Sequence, residues 1–511
     1  MSRTPVDWPT RDPLAHRTAA TPDRTAVVDV PTGREWTYRG FDGVVADTAR
    51  RLRSRLDDAG CPRVALLSST RVESVAAVHA ALRAGAAVVP LNTRLSDREL
   101  RAQLRTVDPA LLVCESGTEP TALDTAGCPV LSLDTPETSA VDALWTVDAP
   151  GGESASDGTG EWPRWDRDET ALLLFTSGTT GRPKCVRLTL GTLVASATAA
   201  AFRLGVSPGD RWLDCLPIYH VGGLAPLVRC ALYGTTLLVA TEFDATGTAE
   251  ALATQRATGV SLVPTQLRRL LAADWQPPAS LETVLLGGAP APAALVERAL
   301  DAGVPVSPTY GLTEAASQVA TAPPSLAGDC PGSVGHPLLF TTVTVVDDDG
   351  SPLDAGETGE LVVDGPTVTP GYLDPDRTAA AFGDAGLYTG DVGYRDADGR
   401  LWVLGRADDT IVTGGENVHP GEVESVLREH PDVDGAAVVG VPDAEWGERV
   451  GALVVGPDAL EPADVRAFAR DRLAGFKLPR TVAVGTALPR TASGTVDRQA
   501  VRDRLDTDRE G

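Results

Sequence analysis

The densest chemistry in the chain is the run Thr176-Ser177-Gly178-Thr179-Thr180-Gly181-Arg182-Pro183-Lys184. Glycines let backbone N–H groups approach an anion, hydroxyls donate to its oxygens, and a terminal lysine adds a point charge. The combination suits a loop wrapped around a polyphosphate; the plain alternative is a polar turn. It is not a Walker loop, in which glycine and lysine are adjacent and a helix follows at once. Here Arg182 and Pro183 intervene, and 185–190 (CVRLTL) reads as a strand. A second charge stands out by its setting. Arg229 lies in the apolar stretch 224–232, where an unpaired guanidinium is costly. Either a substrate carboxylate or a buried protein carboxylate would answer it.

The elements that must hold these groups alternate strand and helix. Residues 63–69 read as a buried strand. Thr70 and Glu73 have capping-box spacing for a helix that Gly85 closes, and 86–91 form the next strand. Ser96 and Glu99 repeat the box, with Leu95 and Leu100 as its hydrophobic staple. Such alternation predicts a largely parallel, covered sheet. Residues 148–169 read as a polar surface loop. Beyond it, 172–175, 237–240, 261–263 and 283–286 are strand candidates, and 264–271 and 293–301 helices. Between 332 and 403 strands shorten and turns multiply (DDDG, DAGETG, DADG), predicting a small antiparallel barrel or sheet. A last segment from Arg406 holds a helix opened by Pro420, strands at 436–441 and 451–455, and a helix over 463–473.

A chain of 511 residues implies at least two domains. Its net charge of −25 argues against nucleic acid and anionic membranes as partners. Lys184 and Lys477 are the only lysines; the other basic residues are arginine. An acidic, nearly lysine-free surface suits concentrated salt, where screening tames self-repulsion. GC-rich codon bias would explain arginine over lysine but not the acid excess. Seven scattered cysteines without a CxxC pair read as reduced thiols, not a disulfide frame or zinc site. The N-terminus shows no apolar signal region, and the longest apolar stretch, 75–91, is broken by His79 and Arg83. A cytoplasmic protein is expected.

Four motifs in order resemble those of the adenylate-forming superfamily of acyl-CoA synthetases, luciferases and peptide-synthetase adenylation domains. They are the loop at 176–184, Tyr310-Gly311-Leu312-Thr313-Glu314, Tyr388-Thr389-Gly390-Asp391, and Gly405-Arg406-Ala407-Asp408-Asp409. The resemblance runs over nearly the whole chain. It implies an α/β fold: a large N-terminal domain, 1–405, of two parallel-sheet subdomains plus a small β-barrel, and a small mobile α+β domain, 406–511. It implies ATP, Mg²⁺ and CoA as cofactors and co-substrates, small-molecule partners, and a monomer or homodimer. By the resemblance, Glu314 helps hold Mg²⁺, as a hard oxygen ligand would. Asp391 accepts from the ribose hydroxyls, and Arg406 reaches the ribose or phosphate. Thr176, Ser177, Gly178, Thr179, Thr180, Gly181 and Lys184 take the phosphates. Tyr310, Gly311 and Thr313 line the nucleotide. Gly287, Gly288 and Ala289 leave room for adenine and the acyl group, and His220 stands at the mouth of the acyl pocket. Asp408 is the hinge that swings Gly414, Gly415 and Glu416 to the site for attack by CoA.

The last motif, 489–498, departs from the family, which has a lysine where this chain has Thr495. Threonine cannot neutralise developing negative charge in the same way. Arg490, Arg498 or Lys477 supplies the charge instead, or adenylation is slow, or the chain binds ATP without turnover. Residues 310–318, 285–292 and 332–337 resemble one branch, the CoA ligases of menaquinone biosynthesis, whose acid is an aromatic dicarboxylate. A second carboxylate fits Arg229. Ligases of other aryl or medium-chain acids, and free-standing enzymes that load a carrier protein, stand as alternatives.

Overall fold

The computed structural model describes residues 12–56, 61–144, 162–176, 183–273, 275–413, 416–443, 446–470, 472–491 and 495–507. Among them the strands gather into sheets of nine, seven, five and five strands. In the seven-stranded sheet Arg63–Leu67 lies parallel between Ala87–Pro90 and Leu111–Cys114, and Thr170–Thr176 runs beside Ala87–Pro90. In the nine-stranded sheet, Val306–Leu312, Thr283–Leu286, Gly259–Leu262, Arg211–Asp214, Thr236–Val239 and Thr25–Asp29 form a parallel middle. Antiparallel strands close both its edges. Leu111–Cys114 and Thr236–Val239 are buried at every position, as expected of a parallel sheet covered on both faces.

One apolar cluster joins these two sheets. Leu66 and Leu111 from one, and Val27 and Leu237 from the other, pack with Val75, Val78, Leu82 and Leu227. Helix Val72–Arg83 is therefore a middle layer, buried at all its residues but Glu73. That explains why its sequence is apolar all round. The 75–91 stretch is this helix and the strand after it, and among the described residues no helix is long and apolar enough to cross a membrane. Its polar groups are internal. Arg83 pairs with Asp12 at 3.1 Å and Asp42 at 2.5 Å. His79 meets Phe41 edge-on, and burial lowers its pKa to about 4.

The capping box at Thr70 and Glu73 does not form. Arg71 is the N-cap and makes no side-chain cap bond. The Thr70 hydroxyl instead donates to the Leu216 carbonyl at 2.9 Å and accepts from the Ile218 N–H at 3.1 Å, while Glu73 pairs with Arg71. A bond between the two large sheets outcompetes the local cap. At Ser96 and Glu99 the box forms as expected, and Leu95 packs with Leu100 on the core.

The turn-rich stretch forms an antiparallel five-stranded sheet running from Thr342–Val346 to Leu401–Arg406. The last sheet pairs Gly435–Asp443 with Gly447–Val455, and Thr481–Gly485 joins in parallel. Helix Pro420–Leu427 begins at its proline. This final segment has its own core, with Ile411, Val423, Leu427, Val438 and Val454. Of the polar loop, 148–161 lies outside the described residues.

Candidate active site

Sites in open α/β sheets form at the carboxyl ends of the strands, and here several such ends converge. Thr170–Thr176 runs antiparallel into Lys184–Thr189, with Thr176 opposite Lys184. The residues between them thus link two paired strands, as the strand reading of 185–190 requires. Ser177, Gly178, Thr179, Thr180 and Gly181 lie outside the described residues. The Lys184 ammonium sits 5.3 Å above the centre of the Tyr372 ring. Tyr372 belongs to a segment that pairs with the same strand: it bridges Val186, and the Leu373 N–H donates to the Cys185 carbonyl at 2.8 Å.

Strand Val306–Leu312 delivers Tyr310 and Gly311, and the short turn Thr313–Ala315 that follows carries Glu314. The chain then doubles back so tightly that a Cβ on Gly311 would lie 1.7 Å from the Ser317 carbonyl. The Tyr372 hydroxyl donates to Oε1 of Glu314 at 2.9 Å. Among the described residues no three His, Cys, Asp or Glu side chains cluster to hold a metal. A lone carboxylate suits Mg²⁺, which is commonly held by one or two carboxylates together with substrate phosphates.

Asp391 stands on strand Gly386–Arg395, directly opposite Arg406 on Leu401–Arg406. Its Oδ2 accepts from the Tyr310 hydroxyl at 2.5 Å and its Oδ1 from Arg406 Nη1 at 3.0 Å. Arg406 Nη1 also donates to the Thr389 carbonyl at 2.6 Å. Burial, and then the Asp391 charge, push the Tyr310 pKa well up, so its hydroxyl remains the donor. Each Asp391 oxygen keeps a further lone pair free to accept. A Cβ at Gly390 would lie 2.6 Å from Arg406 Nη2, so a side chain there would push the guanidinium out.

Gly287, Gly288 and Ala289 follow strand Thr283–Leu286. A Cβ at Gly287 would meet Thr309 Cγ2 at 2.6 Å, and Gly288 adopts φ +75°. His220 caps helix Val221–Tyr233; its ring is exposed and packs edge-on against Tyr219 at 4.8 Å, so it is not a core histidine. Partial desolvation, then the Arg94 cation, lower its pKa. Arg229, two turns along the same helix, is 7% exposed. Its Nη2 has no hydrogen-bond partner, and no ion pair engages it among the described residues. The buried protein carboxylate that sequence offered as one answer is not found among the described residues. Burial consequently lowers its pKa, against small opposing effects of Tyr233 and Cys230. Gln318, on the strand that helix packs against, is likewise buried with Oε1 unpartnered.

In the final segment Asp408 is exposed, 3.9 Å from Arg406. Glu416 is exposed at the start of Glu416–Val418, and Gly414 and Gly415 lie outside the described residues. Thr495 is exposed, its hydroxyl 2.8 Å from that of Thr491. All three candidate substitutes for the missing lysine already have partners. Lys477 pairs with Glu422 at 2.6 Å, and Arg498 with Asp409 at 2.9 Å and Glu424 at 3.0 Å. The charge of Arg490 acts on Arg268 at the seam between the segments. There Arg268 donates to the Asp434 carbonyl at 2.7 Å, and its pKa is lowered by burial and then by Arg428 and Arg490.

Sequence reasoning missed Tyr372. A tyrosine in a turn-rich stretch has no periodicity to betray it, and only strand pairing brings it to Lys184 and Glu314.

Lys184 and Glu314 meet through Tyr372, Asp391 is held by Tyr310 and Arg406, and the fold around them is that of the adenylate-forming enzymes. The chain belongs to the AMP-binding enzyme family: that family's signature matches residues 14–373, and the AMP-binding enzyme C-terminal domain matches 422–495. It is 38% identical to the 2-succinylbenzoate–CoA ligase of Bacillus velezensis, over 96% of this chain and 97% of that one. Its structure matches o-succinylbenzoate CoA synthetase from Bacillus subtilis in complex with the acyl-adenylate intermediate, at TM-score 0.86 and 32% identity, covering 96% and 98% of the two chains. Against a double mutant of that enzyme bound to a product analogue, OSB-NCoA, the TM-score is 0.71 at 34% identity, covering 97% and 99%.

Proposed function

We propose that this chain is an AMP-forming 2-succinylbenzoate–CoA ligase of menaquinone biosynthesis. A substrate carboxylate oxygen attacks the α-phosphorus of ATP and pyrophosphate leaves; the thiolate of CoA then attacks the acyl carbonyl of the acyl-AMP and AMP leaves. The likeness to the ligases supports the reaction. The observation that carries the substrate is Arg229, a buried guanidinium with a free Nη2 and no carboxylate paired to it among the described residues. A buried cation is tolerated when an anion reaches it, and 2-succinylbenzoate keeps a second carboxylate after the first is activated.

The chain's own groups divide the work. Lys184 and the loop from Thr176 hold the phosphates. Asp391, steadied by Tyr310 and Arg406, receives the ribose. Gly287 and Gly288 make a low wall beside the acyl group, and His220 stands at its entrance. Glu314 would hold Mg²⁺, which would supply charge neutralisation on the phosphates. Positioning and charge neutralisation carry most of such a displacement. The domains divide at 405/406, and the small one turns about Asp408 to bring Glu416 to the site. The lower TM-score to the product-analogue complex, at slightly higher identity, supports such a turn. The surface suits a cytoplasm of high salt. Thr495 favours one further feature, an adenylation step slower than thioester formation.

The test is incubation in molar KCl with Mg·ATP, CoA and 2-succinylbenzoate, benzoate or a medium-chain acid, with AMP and thioester read by mass spectrometry. The expected result is a thioester with 2-succinylbenzoate alone. Thioester only from another acid would reject the substrate, and ATP use without need of free CoA would point to a carrier protein.

A further inference from the structure

Lys184 and Glu314 carry opposite charges at one cleft, yet no ion pair joins them among the described residues. Both touch Tyr372 instead. The ammonium lies over the ring face at 5.3 Å, and the carboxylate takes the hydroxyl at 2.9 Å. Tyr372 is 4% exposed, and its backbone is fixed from both sides. It bridges Val186, and its N–H donates to the Thr378 hydroxyl at 2.9 Å. Arg377, in the helix that follows, donates to the Pro183 carbonyl at 3.1 Å and so ties this segment to the end of the phosphate loop.

We propose that Tyr372 is a positioning residue that keeps the phosphate-loop lysine and the cation-holding carboxylate apart and separately aimed. The inference rests on the roles of Lys184 and Glu314 proposed above. A direct salt bridge would neutralise both groups before ATP arrived, and each would have to be pulled free again. The ring face holds an ammonium without cancelling its charge. The hydroxyl is neutral and donates to one carboxylate oxygen, which leaves Oε2 for a cation.

The experiment is ATP binding by calorimetry across a Mg²⁺ titration, without acid or CoA so that nothing turns over, with thermal melting alongside. In the wild type, Mg²⁺ should tighten ATP. Tyr372→Phe keeps the ring and loses the hydroxyl. It should raise the Mg²⁺ concentration for half-maximal tightening by about 10-fold, with Mg²⁺-free ATP affinity and melting temperature unchanged. Tyr372→Leu should also weaken Mg²⁺-free ATP binding, because Lys184 is then drawn to Glu314, and adding Glu314→Gln should restore it. A merely structural tyrosine would move the melting temperature and not this pattern. Wild-type Mg²⁺ dependence in Tyr372→Phe would overturn the proposal alone. ATP affinity indifferent to Mg²⁺ in the wild type would overturn the reading of Glu314, and this proposal with it.

Discussion

The hydroxyl of Tyr310 donates to Asp391 across 81 residues of sequence, at 2.5 Å, and Arg406 holds the other oxygen of the same carboxylate. Two donors on two oxygens hold Asp391 in a single orientation, the one in which we propose it meets the ribose. Hydrogen bonds to charged groups contribute about 1.5–3 kcal/mol. Tyr310→Phe should therefore raise the KM for ATP on the order of 10-fold or more, with a smaller effect on kcat. An unchanged KM would mean that Arg406 alone orients the carboxylate.

Arg229 should trade stability for specificity. A buried charge without an ion-pair partner carries a desolvation cost that an apolar residue of similar volume does not. Arg229→Met should therefore melt at or above the wild-type temperature. Losing a charge-assisted contact to the second carboxylate should raise the KM for 2-succinylbenzoate by about 100-fold. A variant that melted lower and kept its KM would place the arginine in the scaffold.

Thr495→Lys tests the departure from the family motif. Lys477 and Arg498 are held in ion pairs of their own, so neither reaches the site without breaking one. A positioned charge donor contributes on the order of 100-fold in rate. The substitution should accelerate ATP–pyrophosphate exchange by about that factor and leave thioester formation from added acyl-AMP unchanged. No acceleration would assign the charge to another cation.

His79 predicts a pH dependence of stability. Its pKa falls from 6.5 to about 4 on folding, so between these values the unfolded chain binds the proton more readily. Stability is then complete above pH 6.5 and is lost as pH drops through that window. The full loss is about 3 kcal/mol. Chemical denaturation from pH 7 to pH 4 should show this fall, and His79→Leu should lack that part of it. An identical slope in the variant would place the proton uptake elsewhere.

Much of the architecture was written locally. Strands such as 283–286, the helix that opens at Pro264, the capping box at Ser96 and the strand after the phosphate loop follow from periodicity, turn chemistry and spacing, which act over a few residues. The loop chemistry and the isolation of Arg229 in an apolar helix were visible for the same reason. The tertiary structure decided what those residues meet. Thr70 gave up a cap for a bond to a loop 146 residues away. Tyr372 came to Lys184 and Glu314 only because its segment pairs with the strand after the loop. Whether Arg229 had a protein carboxylate depended on how the helices and sheets packed around it. Local sequence carries the backbone's preferences, but partners distant in the chain are chosen by packing, which no spacing encodes.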